Sequence, residues 1–201
     1  MINLQKNSRI SLDKDGSNLK EICIGLNWGQ IINSSFFGLV KSGVNVDLDG
    51  SVSMFDGTKG VIDTVYYRQL VSKDGAVQHS GDDRTGDTVT DEKDNELIYI
   101  NLEKVSKVVS TIVIYLNSFN KQDFADVPYS KIRIIEGTLT NIKSVFAQFD
   151  LSADKKFAGY TSMILGKLLR SGSGWEFVAI GEPIKALDIS QTIKTIQADF
   201  L

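Results

Sequence analysis

One cysteine, one histidine and two prolines are all that 201 residues hold of those types, and each scarcity excludes something. Cys23 stands alone, so no intrachain disulfide can form and nothing argues for an oxidising compartment. His79 is the only histidine, and a zinc site would have to draw on Cys23, His79 and carboxylates that lack any recognisable ligand spacing. No serine sits in a nucleophile-elbow glycine pattern, so His79 is read as structural, at the mouth of an acidic loop, and not as a catalytic base. Long apolar runs are missing too. Val108 to Leu116 is far too short to span a bilayer as a helix, and the N-terminal MINLQKNSRISLDKDG lacks the apolar core of a secretory signal. A cytoplasmic address without stable membrane insertion is expected. There is no basic excess either: the net charge is -3 and the pI near 5.2, which disfavours nucleic acid as a partner. Gly57-Thr58-Lys59-Gly60 lacks the spacing of a phosphate-binding loop, and paired carboxylates for glycoside hydrolysis have no positive support. No enzyme is expected.

What the chain does hold is a concentrated run of acid. Residues 79 to 96, HSGDDRTGDTVTDEKDNE, carry Asp82, Asp83, Asp87, Asp91, Glu92, Asp94 and Glu96 against only Arg84 and Lys93, a local charge of -5 in a chain that is otherwise nearly neutral. Like charges roughly 4 Å apart cost about 1 kcal/mol in bulk water and about 4 kcal/mol near a protein surface. Folding such a loop tightly therefore calls for a counter-ion. Hard divalent cations, calcium above all, accept six to eight oxygen ligands from irregular loops. A solvated acidic loop is the other reading.

Seventeen glycines punctuate short apolar runs, a pattern of many turns and strands. Val108 to Leu116, rich in β-branched and aromatic residues on both alternate sets, predicts a central strand covered on both faces. Further strands are predicted over Glu21 to Trp28, Val44 to Phe55, Val61 to Tyr67, Leu97 to Leu102, Lys131 to Glu136, Val145 to Leu151, Tyr160 to Leu169 and Trp175 to Ile180. Without long interleaved helices, this predicts an all-β sandwich of two antiparallel sheets, with Val71 to Asp94 as one long polar connection. Ile189, Ile193, Ile196 and Phe200 recur at helical spacing, so Asp188 to Leu201 predicts an amphipathic helix. We divide the chain into a sandwich domain, 1–184, and a helical tail, 185–201, that caps the sandwich or docks a partner.

Asp47 and Asp49 lie two apart in a run otherwise rich in Val and Leu, so both point to one face of a strand. A metal site and a solvated edge strand both remain open for them, and Asp63 could join either. Counting twelve-residue calcium loops from Asp13, Asp47 and Asp82 puts Asn18, Val52 and Asp87 at the sixth position, which requires glycine, and Ile24, Thr58 and Lys93 at the twelfth, which requires glutamate. All three fail. Any calcium site must be assembled from separate segments.

Five stretches in order along the chain, Ile24 to Trp28, Val46 to Ser51, Asp63 to Tyr67, Ser72 to Gly86 with its continuation through Asp94 to Glu96, and Tyr160 to Gly181, together resemble the TerD family of bacterial tellurite-resistance and stress-response proteins. Ile24-Gly25-Leu26-Asn27-Trp28 looks like its Gly-Leu-x-Trp strand, Val46-Asp47-Leu48-Asp49-Gly50-Ser51 like its Asp-Leu-Asp-Ala-Ser, and Asp63-Thr64-Val65-Tyr66-Tyr67 like its Asp-x-x-aromatic-Tyr strand. Ser72 to Gly86, SKDGAVQHSGDDRTG, is similar to its Ser-x-Asp-Gly-Ser-Val-x-His-x-Gly-Asp-Asn-x-Thr-Gly, and Asp94-Asn95-Glu96 and Leu102 to Val105 continue the match. Tyr160 to Arg170 and Trp175 to Gly181 resemble its closing hairpin.

The resemblance implies a calcium-binding, non-enzymatic stress-response protein. Carried over position by position, it implies Asp47, Asp49, Asp82, Asp83, Asp94 and Glu96 as ligands, with main-chain oxygens near Thr85 and Gly86 completing the shell. Asp83 replaces the family's usual Asn, Arg68-Gln69 its Asn-Asn pair, Lys93 the glycine before Asp94, and Gly29 the aspartate after the tryptophan. An insertion of about three residues adds Asp87, Asp91 and Glu92 as further oxygen donors. The alternative is a calcium-dependent binder of an anionic lipid or a carbohydrate. Calcium and, through the C-terminal helix, other stress-response proteins are the expected partners.

Overall fold

The computed structural model describes residues 1–35, 40–89, 93–150 and 155–201, and these residues form sixteen strands and one α-helix. The strands are β1 (Ile2–Leu4), β2 (Arg9–Ser11), β3 (Asp13–Lys14), β4 (Ser17–Asn18), β5 (Glu21–Trp28), β6 (Ile31–Ser35), β7 (Val40–Val44), β8 (Leu48–Phe55), β9 (Val61–Val65), β10 (Val77–His79), β11 (Glu96–Asn101), β12 (Thr111–Ser118), β13 (Ser130–Thr138), β14 (Asn141–Asp150), β15 (Ser162–Ser171) and β16 (Gly174–Ile184). Twelve of them make two six-stranded sheets, ordered β1-β14-β13-β5-β11-β10 and β2-β16-β15-β12-β8-β9, and β3–β4 and β6–β7 form two-stranded hairpins. Every pairing in these sheets is antiparallel except β1 on β14.

Period-2 alternation builds the core. Ile22, Ile24, Leu26 and Trp28 of β5 and Ile98 and Ile100 of β11 face Leu48, Val52 and Met54 of β8 and Ile112, Ile114 and Leu116 of β12. The opposite face of the second sheet is also covered. Phe55, Val113, Tyr115, Ile164, Ile180 and Ile184 form a second apolar cluster, onto which α1 (Ile189–Asp199) lays Ile189, Ile193 and Ile196, followed by Phe200. β12 is thus central and buried along its whole length, as its two apolar sets predict. It begins at Thr111, because Val108 is exposed and the chain turns at Ser106 to Val109.

Helix α1 is capped by Asp188, whose Oδ1 accepts from Gln191 N at 2.8 Å. Asp188→Ala is expected to cost about 1 kcal/mol, which for a chain of this size lowers the melting temperature by roughly 2–4 °C. A thermal melt followed by circular dichroism checks it.

Two local expectations need correction. Val44 to Phe55 is not one strand: Val44 ends the hairpin β6–β7, and β8 starts at Leu48. Between them Val46 N donates to Thr85 O at 3.0 Å, and Trp28 Nε1 donates to Val46 O at 2.9 Å, so this backbone is bound outside any ladder. Val71 to Asp94 is not wholly loop either, since Val77 is buried in the core and β10 pairs with β11. Leu151, taken as the end of one strand, and Asp91 and Glu92, offered as extra ligands, lie outside the described residues.

Candidate metal centre

β8 turns Leu48, Val52 and Met54 into the sandwich. By alternation Asp49, Ser51 and Ser53 face away from it, with Asp47 on the same side. Asp82, in the exposed stretch after β10, comes over to meet them, and one carboxylate oxygen from each of Asp47, Asp49 and Asp82 lies within 4.8 Å of the others. Asp47 and Asp49 are each only 5% exposed. Asp47 Oδ1 is buried and receives no hydrogen bond from any described residue, and the Asp49 carboxylate has no hydrogen-bond donor among them. The three line a cavity of about 330 Å³ with Tyr67, Arg84, Phe119 and Asn120.

Electrostatics follow from this crowding. The Asp49 pKa is pushed up to about 7, first by burial and then by the charges of Asp47, Glu96 and Asp82. Asp47 is raised for the same reasons, burial first, then Asp82. Arg84 approaches Asp82 at 3.9 Å and offsets part of the charge.

Glu96, expected as a ligand, lies behind this group. It opens β11 on the inward side shared with Ile98 and Ile100, and is fully buried. Its Oε2 accepts from Gly50 N at 2.8 Å and its Oε1 from Asp83 N at 3.2 Å, so the carboxylate ties the first sheet to the second. Leu26 Cδ1 and Glu96 Oε2 crowd the Gly50 backbone, 2.3 and 2.5 Å from where a Cβ would stand. His79 completes the tie. Its Nδ1 accepts from Gly81 N at 3.1 Å, which leaves Nε2 as the protonated nitrogen, 3.1 Å from Gly50 O and 3.3 Å from Glu96 Oε2. Both ring nitrogens of His79 are therefore engaged in holding the loop.

Asp83 also works inside the loop. Its Oδ1 accepts from Thr85 N and Thr85 Oγ1 at 2.9 Å and from Gly86 N at 3.2 Å. Against the upward push of burial, these donors hold its carboxyl below the usual range. The turn places Thr85 O on Val46 N, which ties the loop to the segment leading into β8. Asn in place of Asp83 would keep the same acceptor. Asp83→Asn is expected to shift stability by less than about 1 kcal/mol and to leave any metal response intact, as melts with and without the ion would show.

Asp94 is on the other side of the molecule. Its carboxylate lies over Gly25 on the outer face of the first sheet, in a two-point pair with Arg133, Nε to Oδ1 at 2.9 Å and Nη2 to Oδ2 at 2.8 Å. Arg133 is the cross-strand partner of Gly25, whose missing side chain makes the room. Asp47 and Asp49 are beyond the second sheet, and packed sheets stand about 10 Å apart. One ion cannot join them.

Asp87 accepts from Asn27 Nδ2 at 2.9 Å and Asn95 Nδ2 at 3.1 Å, and Asp63 from Thr64 N at 3.0 Å, Gln69 Nε2 at 2.8 Å and Lys73 N at 2.7 Å. Both hold loops, and neither reaches the three-carboxylate group. Phe119 and Asn117, which border the group, escape the sequence reading, and Tyr67 enters it only as part of a strand motif. Asn117 is placed there by its cross-strand pairing with Asp49, a register no motif announces.

A sequence model of the TerD domain matches residues 1–193. The tellurium resistance protein TerZ of Serratia marcescens is 30% identical over 202 residues, covering 100% of this chain and 97% of that protein. The stress response protein SCP2 of Bacillus subtilis (strain 168) is 34% identical over 190 residues, covering 90% and 92%. A crystal structure of a homologue of telluride resistance protein (TerD) from Streptomyces coelicolor A3(2) superposes with a TM-score of 0.65 at 18% identity, covering 88% of this chain and 96% of that one, and shows the same fold. The sandwich, the ordered motifs and a match over nearly the whole length agree: the chain belongs to the TerD domain family of tellurium-resistance and stress-response proteins.

Proposed function

We propose that the protein is a calcium-binding, non-enzymatic stress-response module, with Asp47, Asp49 and Asp82 as the ion's carboxylate ligands. The observation that carries this reading is the pair of buried carboxylates, Asp47 and Asp49, that lack donors and lie within 4.8 Å of an oxygen of Asp82. Calcium–oxygen distances of 2.3–2.6 Å allow two ligands of one ion to be about 5 Å apart at most, so three oxygens this close suit a shared ion. The donor set is all oxygen, which selects hard cations over zinc or copper. Three carboxylates leave several of calcium's six to eight positions for water or a ligand, and the open cavity has room for them.

The residues behind the three carboxylates support the same reading. Glu96, His79 and Asp83 position the segments that carry the ligands, and Glu96 adds negative charge behind Asp49. Absence of catalysis is supported by His79, whose two ring nitrogens are both committed. The names of two relatives, a tellurium resistance protein and a stress response protein, support the stress-response part of the reading. A single, buried cysteine fits a reducing cytoplasm, and no helix among the described residues is long and apolar enough to cross a membrane. Partners that use the C-terminal helix would meet its polar side, because its isoleucines are spent on the second sheet.

Calorimetric titration of calcium into chelator-stripped protein tests the reading. Saturable binding that disappears in the Asp47→Asn, Asp49→Asn double variant is the expected outcome. Absence of heat at two temperatures, with no change in melting, would reject it.

A further inference from the structure

Arg84 is the one cationic side chain among the described residues that line the three-carboxylate cavity. The loop puts it there by pinning the residues on either side. Asp83 N donates to Glu96 Oε1 at 3.2 Å, Asp83 Oδ1 accepts from Thr85 N at 2.9 Å and Gly86 N at 3.2 Å, and Thr85 O accepts from Val46 N at 3.0 Å. The Arg84 backbone is thereby held two residues after Asp82, at the open side of the cavity. Its guanidinium is not locked. The side chain is 76% exposed, and Nε lies 3.9 Å from Asp82 Oδ2, beyond hydrogen-bonding distance. Its charge still reaches inward: Asp47, whose pKa is raised first by burial and then by Asp82, is drawn back in part by Arg84.

Three carboxylates against one guanidinium leave this cavity short of positive charge, and the cation that it does have is tethered to the chain. We infer that Arg84 is a built-in counter-cation of the centre, which stands at the cavity in the ion-free protein and which a divalent ion displaces in order to bind. On the calcium reading, on which this rests, Arg84 sets how tightly the ion is held. A divalent ion carries twice the charge and makes oxygen contacts of about 2.3–2.6 Å, where the guanidinium stands off at 3.9 Å, so the ion prevails. The exposed side chain swings into water without unpacking the core. An arginine cannot shed its charge by losing a proton. Once displaced, it remains a like charge near the ion and opposes it by Coulomb repulsion, so affinity lies below what the three carboxylates alone would give.

Calorimetric titration of calcium into the chelator-stripped parent, Arg84→Lys, Arg84→Gln and Arg84→Glu tests this. Affinity is expected to follow charge, with Arg84→Lys close to the parent, Arg84→Gln tighter by roughly three- to tenfold, and Arg84→Glu tighter again. A residue that merely shaped the loop would give weaker binding in all three. In chelator the order reverses: Arg84→Gln and Arg84→Glu lose the neutralising charge and melt below the parent, so the calcium-induced rise in melting temperature grows along the series. Arg68→Gln is the control. That guanidinium lies 5.3 Å from the Tyr67 ring centroid and does not line this cavity, and its loss is expected to change affinity less than about twofold in physiological salt. Affinity unchanged or weakened in Arg84→Gln overturns the inference while leaving the ion in place, and so does equal tightening in Arg68→Gln, which would reduce the effect to net charge. No heat in the parent or in any variant rejects the ion and the inference together. Heat that appears only in Arg84→Gln or Arg84→Glu upholds the inference and rejects the calcium reading for the parent chain.

Discussion

Saturating calcium is expected to raise the melting temperature of chelator-stripped protein by roughly 5–10 °C. An ion present at one hundred times its dissociation constant adds about 2.7 kcal/mol to the folded state, and each kcal/mol moves a domain of this size by roughly 2–4 °C. Substituting both Asp47 and Asp49 by Asn should abolish the increment. It should also raise the metal-free melting temperature, because without a counter-ion Asp47, Asp49 and Asp82 repel one another. Asp94→Asn serves as the opposing control. It weakens the Arg133 pair on the far face and lowers stability, but the calcium increment should persist. Loss of the increment in Asp94→Asn would place that carboxylate at the ion and refute the three-residue site. A melt unaltered by calcium in the parent would remove the site altogether.

In the metal-free protein, stability is expected to fall as pH rises from about 4 to about 7. Asp49 titrates near 7 when folded, against about 3.8 when unfolded, because burial and then Asp47, Glu96 and Asp82 disfavour its charge. In that window the folded state holds a proton that the unfolded chain has released. Stability is therefore full below about 4 and is lost as pH passes through 7. At 1.36 kcal/mol for each pKa unit, the ceiling is about 4 kcal/mol; coupling among the carboxylates makes about 2 kcal/mol a sound expectation. Glu96, Asp94 and Asp47 are raised as well, each chiefly by burial, and act in the same direction. Asp83 and Asp74 are held low by hydrogen bonds and contribute the opposite slope, confined to pH below about 4. Calcium should flatten the curve by favouring the ionised carboxylates. Melting temperatures measured across this range with chelator and with calcium provide the check; a metal-free curve that is flat or rising would contradict the burial of Asp49, and Asp49→Asn should remove most of the slope.

Much of this was legible in the residues. Alternation in Glu21 to Trp28 and the doubly apolar run ending at Leu116 announce buried strands, because burial on one face or two leaves a period in the sequence. The four apolar side chains from Ile189 to Phe200 announce a helix with one apolar stripe in the same way. The pairing of Asp47 with Asp49 was equally visible, as a consequence of strand geometry. The hairpin β6–β7 was not, since Asn33, Ser34, Ser42 and Gly43 carry no apolar alternation.

Charge in the acidic run was read correctly as an excess, but the individual carboxylates could not be sorted. Asp82 meets Asp47 and Asp49; Asp83 folds its own turn; Asp94 pairs with Arg133; Glu96 clamps two sheets. All four are neighbours along the chain, and no local pattern separates them. Their roles differ because β11 leaves the loop with Asp94 outside the first sheet and Glu96 inside it, while Asp82 reaches the second.

By itself, then, the sequence determined the sandwich, its terminal helix, the family and the presence of an acidic centre, since these rest on periodicity and on ordered motifs. Only the tertiary structure decided which carboxylates share that centre. Cross-strand register and the side of the sandwich on which each side chain emerges depend on pairings between residues far apart in the chain, and a carboxylate becomes a ligand or a clamp according to the donors that those pairings bring to it.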